Sequence, residues 1–261
     1  MLSVKPLIIL AAGCGSRLGP LTDDRPKCLV PILGRTLLDR QVEAARQAGV
    51  NNIVVVSGYR ADKLESYGLP TVFAQDYADT NMLHSLFTAR DYFADGFVMA
   101  YGDIVYRPSI MRAIMNSPAA ISVAIDRSWR DYWSQRFDDP LSDAETLRLG
   151  WDGMIREIGA KPKSYDEIEG QYIGMVAFSA EGRQMLTESY DALLAADISA
   201  SSALRGRSLR TAYMTDFLQY LIDRKYPLTP IFIDGGWLEI DTPGDLTVAE
   251  ALVRSGRLDG R

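Results

Sequence analysis

Leu7-Ile8-Ile9-Leu10-Ala11-Ala12 runs directly into Gly13-Cys14-Gly15-Ser16-Arg17, and Pro26-Lys27 follows after a short spacer. An apolar run ending in a glycine turn reads as a buried strand that delivers the chain to a loop. Backbone N–H groups of such a loop can cradle phosphate oxygens, and cations close behind can neutralise them. The glycines by themselves also fit an ordinary strand-to-loop turn, but Arg17 and Lys27 turn the reading toward a triphosphate. The segment is not a Walker loop, which needs Gly-Lys-Ser/Thr after four spacer residues. It is not the dinucleotide fingerprint either, because Pro20 stands near where the third glycine would allow close helix packing.

Outward from this loop, strand-like and helix-like stretches alternate. Thr36–Ala48 carries Leu37, Leu38, Gln41, Val42 and Ala45 at helical spacing, with Gly49 as its stop. Asn52–Ser57, Leu69–Ala74, Phe97–Tyr101 and Ala120–Ile125 read as strands, and Asn81–Tyr92 and Pro108–Met115 as helices. This alternation predicts an α/β fold with a mostly parallel sheet covered on both faces. Ligands in such sheets sit at the carboxyl ends of strands. The glycine loop after Ala12 and Gly102-Asp103 after Tyr101 both lie at such ends.

The second half is less regular. Ser128–Phe137 is aromatic and basic, and Leu147–Gly159 predicts a hairpin turning at Trp151-Asp152-Gly153. Tyr172–Phe178 and Leu228–Ile233 read as strands. Glu181–Tyr190, Met214–Arg224 and Asp245–Arg254 read as helices, and Ala195–Arg210 as a mobile loop. The expected organisation is one domain over residues 1–254, with a nucleotide-binding half (1–126), an acceptor-binding half (127–254) and a frayed tail (255–261).

Composition narrows the function. With 47% apolar residues in 261, the chain can bury a substantial core. No run is long enough to cross a membrane, and the reading is of a cytoplasmic protein with Cys14 and Cys28 as free thiols. A formal net charge of −6 argues against a nucleic-acid partner, so attraction for a polyanion must be local. The single histidine, His84, excludes a multi-histidine metal site and most Ser-His-Asp hydrolases.

The stretch from Leu10 to Tyr59 resembles the start of the nucleotidyltransferase superfamily that activates sugar 1-phosphates and phosphocholine. Its LAAGxGxRxxPxT…PKxL signature has every anchor here, and Trp237–Thr242 with Asp245-Leu246 resembles the family's late metal-binding segment. The resemblance implies a Rossmann-like, GT-A-like, doubly wound mixed sheet with a smaller acceptor-binding lobe. It implies Leu10, Ala12, Gly13, Cys14, Gly15, Ser16, Arg17, Tyr101 and Gly102 around the nucleotide. Asn81 and Ser85 would read the base, and Asp103 and Asp241 would be the metal pair, for Mg²⁺.

Nucleotidyl transfer rests on positioning and electrostatics, and an anionic phosphate nucleophile needs no general base. Arg17, with its planar fork, suits the β- and γ-phosphates, and Lys27 suits the space between the α-phosphate and the acceptor phosphate. The bland alternatives are a solvated loop arginine and a surface lysine. Asp103 could instead cap a turn before Pro108, and Asp241 could be the N-cap of the last helix.

Sugar-nucleotide enzymes usually carry a Gln…Gly-Leu-Ala type segment where this chain has Asp79-Thr80-Asn81-Met82-Leu83-His84-Ser85-Leu86. The Asn-x-x-x-Ser-Leu form is similar to the phosphocholine-type cytidylyltransferases, which points to CTP. DTNMLHSLFTAR, YGDIVY, SYDEIEGQYIGM and IDGGWLEID look like cytidylyltransferases that activate phosphoglutamine for capsule decoration.

The expected partners are CTP and a small phosphorylated acceptor, with a homodimer left open. Lys27, Trp133, Tyr172, Gly174 and Glu239 are the acceptor-binding candidates. Trp129, Tyr132, Trp133, Tyr172 and Trp237 could form an aromatic box for a quaternary ammonium, or simply pack a core. Glu239 would meet a cationic group, and Arg130, Arg136 or Arg156 a carboxylate.

Overall fold

The computed structural model describes residues 5–196, 202–256 and 258. In chain order its strands and helices are β1 (Leu7–Ala11), β2 (Pro31–Ile32), β3 (Arg35–Thr36), α1 (Leu37–Gln47), β4 (Ile53–Ser57), β5 (Thr71–Phe73), α2 (Met82–Thr88), β6 (Gly96–Tyr101), β7 (Ile104–Tyr106), α3 (Pro108–Met115) and β8 (Ile121–Asp126). They continue with α4 (Trp129–Arg136), β9 (Leu147–Leu149), β10 (Ile155–Ile158), β11 (Gln171–Ser179), α5 (Ala180–Ala195), α6 (Met214–Asp223), β12 (Leu228–Ile233), β13 (Trp237–Glu239) and α7 (Pro243–Arg254).

A 7-stranded sheet in the order β12-β8-β11-β6-β1-β4-β5 forms the centre. Every neighbouring pair is parallel except those made by β11, which runs antiparallel to both β6 and β8. The chain is therefore a mixed, mostly parallel α/β protein with β1 inside the sheet.

Strand side chains alternate between faces, and β1 divides two cores accordingly. Leu7, Ile9 and Ala11 pack with α1, α3, α4 and α7 on one face. Ile8, Leu10 and Ala12 pack with α2, α5 and α6 on the other. A strand covered on both faces carries no polar positions, which is why its sequence reads as an unbroken apolar run.

Local chemistry sets the helix starts. Thr36 caps α1 and Asp39 returns the bond, and Pro108 occupies the first position of α3. Thr242, not Asp241, caps α7: its hydroxyl accepts from the Asp245 N–H while the Asp245 carboxylate accepts from the Thr242 N–H. That capping box leaves Asp241 outside the helix with its side chain free for other work.

The mobile-loop reading of Ala195–Arg210 falls partly on residues 197–201, which lie outside the described residues. The rest does not behave as a loose loop. Leu204 and Leu209 are buried, and Arg205 and Arg207 both reach Asp216 on α6. Most of the frayed-tail reading (257 and 259–261) also lies outside the described residues. Among those described, no helix is long and apolar enough to cross a membrane.

Candidate active site

Four tips of the fold meet beside the carboxyl end of β1. After Ala11 the chain enters the glycine loop, where Gly15 has φ 67°. A Cβ on Gly15 would stand 2.9 Å from the Lys27 Cβ, so both the backbone conformation and the close approach need glycine. The short turn Lys27–Leu29 follows, with Pro26 extended ahead of it. Asp103 lies between β6 and β7, and Asp241 between β13 and α7.

Pairing between β7 and β13 brings the two aspartates together. The strands are antiparallel with Glu239 opposite Ile104, and the Ile240 N–H donates to the Asp103 carbonyl at 3.1 Å. The residue just before β7 and the residue just after β13 are thus neighbours. Buried Asp126, at the end of β8, anchors the start of β13 through Trp237 Nε1–H (2.8 Å) and the Gly235 N–H (2.9 Å).

Lys27 Nζ donates to Asp103 Oδ2 at 2.7 Å and also to Asp241 Oδ1, and Arg17 Nη2 lies 2.9 Å from the same Asp241 oxygen. Burial alone would pull the Lys27 ammonium down in pKa, but the charges of Asp103, Asp241 and Glu239 outweigh it and raise it. Asp103, Glu239 and Asp241 each present one carboxylate oxygen within 4.8 Å of the others. Asp103 Oδ1 is buried without a hydrogen-bond donor. Three convergent carboxylates, one of them with an oxygen that lacks a donor, suit a hard divalent cation. Glu239 itself is pushed up to about 8 by burial and by the Asp241 charge, against the pull of Arg136.

A cleft of about 330 Å³ opens from this point. Its lining contains Leu10, Ala12, Gly13, Cys14, Gly15, Ser16, Arg17, Asn81, Ser85, Tyr101 and Gly102, together with Lys27, Asp103 and Asp241. Asn81 caps α2 through its side-chain oxygen to the Met82 N–H (2.9 Å), and Ser85 is buried one turn later. Tyr77, Thr80, Met82 and Cys28 also line the cleft, and the sequence pattern marks none of them as a nucleotide contact. Cys14 is exposed in the loop and Cys28 buried, both as free thiols.

The acceptor candidates are scattered differently. Trp133 is 4% exposed and lies outside the cleft lining. It packs with Trp129, Tyr132 and Trp237 and donates its indole N–H to Asp143 at 3.2 Å. A cation does sit on this aromatic group, but it is the protein's own. The Arg136 guanidinium lies 5.3 Å from the ring centres of both Tyr132 and Trp133.

Arg136 is fully buried and bonds Glu239 at 2.9 Å and Asp245 at 2.8 Å, with Asp241 at 3.7 Å. Burial raises the Asp245 carboxyl, but the Arg136 guanidinium wins and holds it below the usual carboxylate range. Arg130 instead stacks on Tyr165, and Arg156 pairs with Asp152 in the β9–β10 turn. Tyr172 and Gly174 lie on β11, where Tyr172 meets Tyr101 edge-on at 5.8 Å. Arg136 and Asp245 belong to this cluster, a place that the sequence pattern does not assign to either. The Thr242-x-x-Asp245 capping pattern was the signal available for the second.

A family model described as the MobA-like NTP transferase domain matches residues 7–132. The chain belongs to the nucleotidyltransferases, a membership shown by a relative that matches it along nearly its whole length. The CTP:phosphoglutamine cytidylyltransferase of Campylobacter jejuni is 39% identical to it over 252 residues, 92% of this chain and 97% of the relative. The choline-phosphate cytidylyltransferase of Streptococcus pneumoniae is 35% identical over 104 residues, 38% of this chain and 45% of the relative. The solved inositol-1-phosphate CTP transferase of T. maritima superposes with a TM-score of 0.72 at 20% identity, covering 99% of this chain and 98% of that one. At that level the likeness is one of fold.

Proposed function

We propose that the protein transfers CMP from CTP to a small organic phosphate, with phosphoglutamine or a similar phosphorylated amine as acceptor, and releases pyrophosphate. The observation that carries this reading is the meeting of Lys27, Asp103, Glu239 and Asp241 at the mouth of the glycine-loop cleft. The 39% identity to a CTP:phosphoglutamine cytidylyltransferase along nearly its whole length supports the choice of substrates.

In the reaction, an acceptor phosphate oxygen attacks the α-phosphorus of CTP. The new P–O bond forms as the bond to the β-phosphate oxygen breaks, and pyrophosphate leaves with that electron pair. No proton need move, since nucleophile and leaving group are both anionic. The glycine-loop N–H groups and Arg17 hold the β- and γ-phosphates. Lys27 offsets the repulsion between acceptor phosphate and α-phosphate, a role that suits a compact ammonium. Asp103, Asp241 and Glu239 would hold Mg²⁺, whose charge would offset that of the triphosphate. Asn81 and Ser85 would face the cytosine edge.

Phosphocholine stands second. The aromatic group that a quaternary ammonium would want is closed around Arg136, which disfavours it. A pyrophosphate-release screen tests both readings by crossing CTP, UTP, dTTP and ATP with phosphoglutamine, phosphocholine, phosphoethanolamine and glucose 1-phosphate. Release with CTP and phosphoglutamine is expected. Activity only with a sugar phosphate, or only with UTP or dTTP, would sink the proposal. The CDP-activated product would serve capsule or surface-polysaccharide modification.

A further inference from the structure

A phosphorylated amine needs an anionic partner for its ammonium beyond the reacting phosphate. Glu239 is the obvious candidate from sequence, but it is already committed. Arg136 neutralises it at 2.9 Å, and it shares a cluster with Asp103 and Asp241. The aromatic group is closed as well. The structure offers another carboxylate on the acceptor side of Tyr101.

Glu145 is half-buried, and its carboxylate makes no hydrogen bond and no ion pair with any described residue. Its main chain is nevertheless fixed. The Glu145 N–H donates to Gln171 Oε1 at 3.0 Å, and its carbonyl accepts from Gln171 Nε2. Gln171 is 3% exposed and opens β11, so Glu145 is tied to the strand that carries Tyr172 and Gly174. Tyr172 meets Tyr101 edge-on, and Tyr101 lines the glycine-loop cleft.

Gly174, at φ 80°, lets the strand pass so close to Tyr101 that a Cβ there would stand 2.6 Å from the ring. The Tyr172 hydroxyl is buried, with the Tyr101 side chain as its neighbour. The Glu145 carboxylate is close enough to act on both tyrosines by its charge, and Tyr101 lines the cleft. A half-buried carboxylate without a partner costs stability and contributes nothing to the fold in return. Such a group beside a cleft is placed for a ligand.

We propose that Glu145 is the residue that selects the acceptor, receiving the ammonium group of a phosphorylated amine or amino acid through its carboxylate. This inference rests on the cytidylyltransferase reading above. Burial pushes the Glu145 carboxyl up to about 7, with Arg205 and Lys161 pulling it down and Asp216 and Asp143 adding to the rise. Arg205 is bound to Asp216 and to the Ile158 carbonyl, so it influences Glu145 without pairing with it.

The test is the acceptor KM of Glu145→Gln, measured by pyrophosphate release from the full chain with CTP and either phosphoglutamine or phosphoethanolamine. A loss of about tenfold or more in acceptor affinity is expected, with the KM for CTP unchanged. Glu145→Asp should recover part of it. An acceptor of the same length lacking the amino group should not distinguish the variant from wild type, which a merely structural role would not produce. The variant loses no hydrogen bond, so its melting temperature reports an intact fold. Amine acceptors used equally well by both proteins overturn this inference alone. Activity confined to sugar phosphates overturns it together with the proposed reaction.

Discussion

Two arginines approach the same aspartate from opposite sides, in opposite settings. Arg17, on the glycine loop, is 64% exposed and touches Asp241 from the cleft. Arg136, on α4, is fully buried and approaches Asp241 from behind while bonding Glu239 and Asp245. An exposed guanidinium keeps its donors available and can exchange a carboxylate for phosphate. A buried one surrounded by carboxylates and aromatic faces cannot leave without exposing three charges. The donor side of the cleft is built from exchangeable contacts, and the side behind β13 from permanent ones. Arg136 holds Glu239 and Asp241 in place, and under the proposed reaction it is a positioning residue for the groups that would meet the cation and substrate.

Breaking the permanent side should have the largest effect. Arg136→Met leaves Glu239 and Asp245 uncompensated, and urea unfolding should show a loss of about 3–5 kcal/mol. A change near zero would mean that the carboxylates tolerate each other and that Arg136 is dispensable. On the exchangeable side, Lys27→Ala should lower kcat for pyrophosphate release by about 100-fold or more. Unchanged turnover would remove Lys27 from the mechanism.

Glu145→Gln probes a third setting, a charge with no partner at all. Its carboxyl is raised in the fold from 4.5 to about 7, so the native state binds its proton more tightly than the unfolded chain does. That contribution is fully present below pH 4.5 and is lost as pH rises to about 7. At pH 8 the glutamine variant should be more stable than wild type by roughly 1–3 kcal/mol. The difference should vanish in melts at about pH 4. Arg17→Ala should have the smallest effect, weakening CTP about tenfold in a calorimetric titration while leaving the melting temperature in place. A large drop in melting temperature there would erase the distinction between the two arginines.

Much of the donor side is legible in the chain. Leu7–Ala12 announces a strand buried on both faces, and the helix Pro108–Met115 and strand Leu228–Ile233 form with the bounds their patterns suggest. Asn81–Tyr92 is shorter than it reads: α2 stops at Thr88 and a separate turn follows at Arg90–Tyr92. The acceptor side is less legible, because its meaning depends on which aromatic rings face each other. Trp129, Tyr132, Trp133, Tyr172 and Trp237 read as a cation box or a core, and only the packing shows that Arg136 sits over Tyr132 and Trp133 while Tyr172 lies apart against Tyr101. Asp241 also reads as a helix cap until Thr242 and Asp245 are seen to cap each other.

The sequence by itself determined the strand, the glycine loop, the two cations that follow it, and the class of phosphate chemistry. These are local matters, settled by side-chain periodicity and by the conformations that glycine and proline allow. Only the tertiary structure decided which acids meet those cations. Lys27 reaches Asp103 across 76 residues and Asp241 across 214, through the pairing of two three-residue strands that no local pattern announces. It also decided that Glu239 is neutralised and Glu145 is not, since charge compensation depends on burial and on neighbours brought together by the fold.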